Sequence, residues 1–164
     1  PPPGPLGEGS LTVTFAERGI PFVDVAILAP VPRSRIETPL LMSGPAVAQL
    51  SPLLRELGIP VTDVGPEAGA AARLKLLRSI FMKGLAASAI ESFDAAERAG
   101  HTDWLRGEIA GVIGEPLLDR LLVGSRKHAA RRVDELDAAR DLLIELGVEP
   151  RITAASAGSD TVHR

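Results

Sequence analysis

"GPEAGAAARLKLLRSIFMKGLAASAI", residues 65 to 90, decides how this chain is read. No proline or turn cluster interrupts the sequence between Glu67 and about Ala99. The spacing therefore predicts one helix of roughly 30 residues, rising 1.5 Å per residue. Its middle, "IFMKGLAASAI", is apolar on nearly every face, the pattern of a buried central helix. Gly84 costs about 1 kcal/mol against alanine in such a place, which is tolerable where it permits close packing. Into this run fall Lys75, Ser79 and Lys83 at four-residue steps, which stack side chains along nearly one face. That face is either solvated or lines a site. Lys83 stands out on physical grounds, because its neighbours are apolar and a buried ammonium is costly unless paired or discharged. A carboxylate such as Glu91 or Glu97, or one elsewhere in the chain, would account for it structurally.

Before Gly65 the texture is different. "PFVDVAIL" (21–28), "TPLLMSG" (38–44) and "IPVTDVG" (59–65) are short apolar runs bounded by turn formers, and read as strands. "PAVAQLSPLLRELG" (45–58) has helical spacing at Val47, Leu50, Leu53, Leu54 and Leu57, with Gly58 as its stop. Pro52 is expected to kink or restart that helix. The proline-rich "APVPRSRIE" (29–37) reads as a loop, and "LTVTFAERGI" (11–20) is ambiguous between strand and helix. The first ten residues, rich in proline and glycine, are expected to be disordered or extended. Strand, strand, helix, strand implies an α/β layer, too small for a complete doubly wound domain.

After the long helix come "HTDWLRGEIAGVIG", "EPLLDRLLVG" and the amphipathic "SRKHAARRVDELDAARDLLIELG". Thr102 and Pro116 suit helix starts, Ser125 suits a cap and Gly147 a stop. The final tail gives no clear helical pattern. The fold class is thus α+β: an α/β segment over residues 1–65, then an all-α segment over 66–164 built on the long helix.

Composition excludes several functions. The net charge of −3 comes from interspersed signs, so there is no basic stripe for nucleic acid. No apolar run approaches the roughly 20 residues that span a bilayer. With no cysteine and only His101, His128 and His163, widely spaced, a metal site has no support. The opening residues lack the basic and apolar regions of a secretory signal, so a cytoplasmic protein is expected.

The order of strands, loop and long helix resembles the β-hydroxyacid dehydrogenase and 6-phosphogluconate dehydrogenase superfamily, entered midway through its cofactor domain. The residues that carry this are "RGIPFVDVAIL", "ETPLLMSGP", "LRELGIPVTDVGPEAGAAARLKLLRSIFMKGLAAS" and, less tightly, "HAARRVDELDAARDLLIELGV". The likeness runs from about Arg18 to Pro150, with Leu54 to Ser88 the specific part. It looks most like the NAD-binding phosphogluconate dehydrogenase-like branch. The resemblance implies a partial Rossmann-like segment followed by a 6-phosphogluconate dehydrogenase C-terminal-like helical domain. It also implies a homodimer through the helical part, a small-molecule substrate of the hydroxyacid or sugar-acid type, and NADP or NAD as cofactor.

In that superfamily a lysine six residues after a glycine serves as general acid/base, with an asparagine four residues later. Gly69 and Lys75 fit the spacing, and Ser79 occupies the asparagine position. By resemblance Lys75 is the catalytic residue, Ser79 a substrate contact, and Lys83 a holder of carboxylate or phosphate. Two departures bear on this. The Ser-Gly-Gly substrate loop of the superfamily is here Leu28, Ala29 and Pro30, an apolar loop with few backbone donors. The glycine-rich dinucleotide turn is also missing from these 164 residues. The chain is therefore expected to be a fragment, inactive by itself, and cofactor-binding residues are unknown. The rival reading is a non-catalytic helical dimerisation or interaction module.

The remaining candidates have plainer readings. Arg131 and Arg132 fall where the superfamily presents a basic residue, but pairing with Asp134 and Glu135 on a solvated face is the simpler account. His128 reads as a surface histidine and Asp24 as structural. Phe81 and Trp104 read as core or interface anchors.

Overall fold

The computed structural model describes residue 18, residues 20–127 and residues 129–159; within these, the side chains of Arg33, of residues 124–134 and of residues 157–159 are not described. The chain divides into two compact units, Pro1–Leu76 and Leu77–Arg164.

The first unit is a small sheet. Strands β1 (Asp24–Ile27), β2 (Leu40–Ser43) and β3 (Val61–Gly65) lie in the order β1-β2-β3. β1 runs antiparallel to β2, with Asp24 opposite Ser43 and Ile27 opposite Leu40. β2 runs parallel to β3 from Leu40 opposite Val61, and the register shifts at Met42/Ser43 so that Ser43 meets Gly65. The β-branched and leucine-rich runs that predict strands thus form them. The segment read as a loop instead holds one turn of helix, α1 (Val31–Ser34), and a 3-10 turn (Arg35–Glu37). Proline fixes φ near the helical value and lacks only an amide that a first turn leaves unbonded, so Pro30 and Pro32 start that turn rather than prevent it.

Helix α2 (Val47–Glu56) packs on β2 and β3. It runs unbroken past Pro52, where the sequence predicts a kink or restart. Val47 and Ser51 are buried on it, and Arg55 donates from Nε and Nη2 to the Val61 carbonyl at 3.2 and 3.1 Å. These contacts on both sides of Pro52 hold the helix together. Gly44 marks the sharpest turn. Its φ of +120° suits glycine, and a Cβ there would stand 2.9 Å from the Phe22 carbonyl oxygen. The core of this unit is Ala26, Met42, Ala46, Val47 and Ala71.

Helix α3 (Ala70–Ala99) is the long helix, and the boundary between the units falls within it. In the second unit it is joined by α4 (Thr102–Ile113), α5 (Glu115–Lys127), α6 (Ala129–Glu145) and α7 (Arg151–Ser159). Ala86, Ala89 and Leu121 form a buried cluster, with Met82, Leu85, Ile113, Leu117 and Leu122 packed against it. Leu136, Ala139 and Leu142 are buried on α6, which packs on α7. Within the tail that has no clear sequence pattern, residues Arg151–Ser159 are thus helical. A Cβ at Gly84 would stand 2.9 Å from Ile152 Cγ2, so this glycine does permit close packing.

The α+β architecture is as the sequence predicts, but α3 is not buried all round. Leu74, Leu77 and Phe81 are exposed on it, as is Trp104 on α4. Phe81 and Trp104 are therefore not core residues of the chain.

Candidate functional site

The start of α3 is held by side chains from outside the helix. The first amides of a helix have no partner within it, and Gly69, with φ of +84°, has no side chain to cap them. Two strands supply the caps instead. Ser43 Oγ accepts the Ala71 amide at 3.0 Å, and Asp24 Oδ2 accepts the Ala72 amide at 3.2 Å. Ser43 in turn donates its hydroxyl to Asp24 at 3.3 Å. Both side chains are buried. A buried carboxylate is costly alone, but here it takes two hydrogen bonds at the positive end of a helix dipole. Asp24 is thus structural, as its place in the strand predicts. Ser43 escapes sequence reasoning; its only signal is a small polar residue closing an apolar strand.

Lys75 follows one turn later. It is half-buried and forms no ion pair among the described residues. Ser79 is half-buried one turn further on. Lys75 belongs to the first unit, Ser79 and Lys83 to the second, and what relates the three is the periodicity of α3 itself. Lys83 is buried, and its ammonium meets Glu135 of α6 at 2.8 Å. The carboxylate that a buried lysine demands is therefore supplied from a distant helix, not by Glu91 or Glu97. His128 and the side chains of Arg131 and Arg132 lie outside the described residues.

A further polar group has no clear signal in the sequence. Arg106 of α4 donates to Glu115 and Asp119 of α5. Hydrogen bonds to Asp119 and then Glu115 raise its guanidinium above the ordinary arginine range. This bridge closes the α4–α5 corner and is exposed.

The described residues do not fit a dinucleotide. None of the strand-to-helix junctions carries a three-glycine turn, and the Ala71 and Ala72 amides at the start of α3 are already taken by Ser43 and Asp24. A pyrophosphate needs such amides open. The loop after β1 is equally poor in donors. The Leu28 amide bonds the Pro39 carbonyl at 3.1 Å, and Pro30 has no amide to offer. Among the described residues no group of three or more His, Asp or Glu could hold a metal, and no helix is long and apolar enough to cross a membrane.

Residues 96–159 match the family described as a domain of unknown function, DUF1932. An uncharacterized 28.5 kDa protein of Methanothermus fervidus is 30% identical over 132 residues, which cover 79% of this chain and 51% of that protein. A solved conserved protein of unknown function, reported as structurally similar to 3-hydroxyacid dehydrogenases, is 25% identical with a TM-score of 0.71. The match takes in 93% of this chain and 62% of that one. The 3-hydroxyisobutyrate dehydrogenase of Salmonella typhimurium shares the fold at 18% identity and a TM-score of 0.76, over 93% of this chain and 58% of the enzyme. The chain thus spans about half the length of the curated relative it matches. With a small sheet leading into a long helix and a helical domain, it shares the fold of the C-terminal portion of 3-hydroxyacid dehydrogenase-like proteins.

Proposed function

We propose that the chain is part of an NAD(P)-dependent oxidoreductase acting on a hydroxyacid-like or sugar-acid-like small molecule, with Lys75 exchanging a proton with the substrate hydroxyl. The observation that carries this reading is the setting of Lys75. It sits half-buried one turn beyond a bonded helix start, six residues after Gly69, with no ion pair among the described residues. In its neutral form a lysine amine can take a proton from a hydroxyl brought within hydrogen-bond reach, and in its ammonium form it can return one. Ser79 would hydrogen-bond the substrate from the next turn. Lys83 would hold an anionic group of the substrate, and its pair with Glu135 would then have to be shared or opened.

The choice of cofactor class is supported by Psf3, solved with NADP+, which has this fold at 23% identity and a TM-score of 0.71. The dinucleotide itself is assigned to residues outside this chain, because the strand-to-helix junctions of the small sheet do not fit it. On this reading residues 1–65 are a remnant of the cofactor domain and 66–164 the substrate and dimerisation domain. A homodimer through the helical part is supported by exposed Leu77, Phe81, Trp104 and Val112, and a cytoplasmic setting suits the cofactor.

The first test is titration of the chain with NADPH and NADH, followed by quenching of Trp104. No saturation up to millimolar cofactor is expected. Saturable micromolar binding would overturn the assignment of the dinucleotide to residues outside the chain. In the longer protein, Lys75→Met should lower turnover by about 100-fold or more while cofactor affinity is retained. Unchanged turnover would leave the second reading, a non-catalytic helical dimerisation module, which the unfilled dinucleotide requirement and the exposed apolar residues favour.

A further inference from the structure

Two side chains outside the proposed reaction are placed to act on it. We propose that Asp24 and Ser43 are positioning residues for Lys75: by bonding the Ala71 and Ala72 amides they fix where α3 starts and how it is rotated about its axis. This rests on the reading of Lys75 as the proton-exchanging group, but its physical basis does not.

A helix that starts at a glycine has no side chain of its own at the cap, and its first turn frays unless something holds it. Here the holders come from the sheet. Ser43 closes β2 and Asp24 opens β1, and the two stand directly opposite in the β1–β2 ladder. Their side chains reach Ala71 and Ala72 at 3.0 and 3.2 Å and each other at 3.3 Å. Neither has solvent as an alternative partner, since Ser43 is fully buried and Asp24 is 9% exposed. Two bonds to successive amides define a phase as well as a position, because each residue turns the helix by about 100°.

That phase is the one Lys75 depends on. Ala71 and Ala72 lie four and three residues before it, on the same face one turn back. Long side chains on a helix lean back over the preceding turn, so the stem of Lys75 runs over the turn that Ser43 and Asp24 hold. The ammonium is nonetheless not consumed by Asp24, for no ion pair between them is formed. The carboxylate is taken up by the Ser43 hydroxyl and the Ala72 amide, which leaves the lysine without an ion pair among the described residues.

Amine reactivity and amide exchange test this without any turnover. The chain has three lysines, Lys75, Lys83 and Lys127, so labelling with an amine-selective acylating reagent can be read by mass spectrometry as ratios to Lys127. In the unaltered chain the Ala71 and Ala72 amides should exchange as slowly as those in the middle of α3. Ser43→Ala removes the acceptor of Ala71, and Asp24→Asn removes the charge while keeping an acceptor for Ala72. Each should speed exchange over residues 71–75 and raise the Lys75 ratio by about fivefold, the population factor set by one capping bond. The Lys83 ratio should not move. Fast exchange at Ala71 and Ala72 in the unaltered chain overturns the proposal, a result that needs no variant to fold. An unchanged Lys75 ratio in either folded variant overturns it too, and so does a common rise at Lys75 and Lys83, which marks general loosening. The separate Lys75→Met turnover test decides whether Lys75 carries the reaction, so failure of that reading is distinguishable from failure of this one.

Discussion

Lys75 and Lys83 lie eight residues apart on one helix, and their surroundings could hardly differ more. Lys75 is half-buried beside a backbone-bonded helix start and has no ion pair among the described residues. Lys83 is 8% exposed, with its ammonium 2.8 Å from Glu135. A helix needs anchoring at more than one level, and α3 achieves it by two means. At its start the anchor is a serine and a carboxylate from the sheet, which bond amides and leave the nearby lysine alone. In the second unit the anchor is the lysine itself. The same residue type is therefore available for chemistry at one place and tied into packing at the other, and four-residue spacing alone does not separate the two.

The largest effect should come from undoing the paired lysine. Glu135→Ala leaves a buried ammonium without its carboxylate, a loss of about 3 kcal/mol, at the low end for a broken buried pair because Glu135 is itself a third exposed. Urea denaturation measures it. Removing both charges as Lys83→Met with Glu135→Leu should cost less than about 1 kcal/mol, since apolar replacements of similar volume remove the desolvation cost together with the attraction. If Glu135→Ala were as mild as the double change, the contrast between the two lysines would collapse.

The next effect is smaller and purely steric. Gly84→Ala should gain about 1 kcal/mol of helix propensity, yet its Cβ would stand 2.9 Å from Ile152 Cγ2. Ile152 is β-branched and cannot swing that methyl away freely, so overpacking of about 1–3 kcal/mol outweighs the gain. The sharper measurement is the double change with Ile152→Ala. It should recover stability relative to Gly84→Ala alone, because Ile152 is 65% exposed and its removal costs little. Additive losses would show that α7 does not press on α3 at this point.

How much of this is legible in the sequence depends on the range of the interaction. The three strands and α3 are readable because β-branched runs and glycine punctuation act locally. Gly84 is readable as a close-packing residue, though not its neighbour. Pro52 misleads because a local rule about a lost amide is overridden by the burial of Val47 and Ser51 and by the hydrogen bonds of Arg55 to Val61 of the sheet. Lys83 announces that it needs a partner, but Glu135 is far along the chain, and periodicity within one helix carries no information about another. Phe81 and Trp104 stay open between core and interface in the sequence for a related reason: hydropathy says that a side chain favours cover, not whether this chain provides it. Ser43 is silent altogether, since its role exists only once β2 lies across the start of α3.

Arg106 gives a smaller effect still, and a test of sign. Its bridge to Glu115 and Asp119 is exposed, so Arg106→Ala should shift the melting temperature hardly at all. The guanidinium is held above its ordinary range by hydrogen bonds to Asp119 and Glu115. A raised pKa gives a stabilisation that is complete below the unfolded value and is lost only as pH rises through the folded one. Across about pH 6 to 9 the difference between the unaltered chain and Arg106→Ala should therefore be flat. A slope in that window would mean that another titrating group shares the α4–α5 corner.

The smallest expected effect on stability is the one that bears most on function. Lys75→Met keeps a long flexible stem over the preceding turn and removes an ammonium that has no ion partner among the described residues. Thermal and urea unfolding should agree with the unaltered chain within about 0.5 kcal/mol, the usual spread for replacements that touch no special feature. A loss comparable to that of Glu135→Ala would mean that Lys75 serves the fold just as Lys83 does, and that the helix start aims nothing. A neutral result has the opposite force. A lysine that is half-buried, held in a fixed phase by two strands and yet dispensable for folding would be free for the role proposed for it, proton exchange with a substrate hydroxyl.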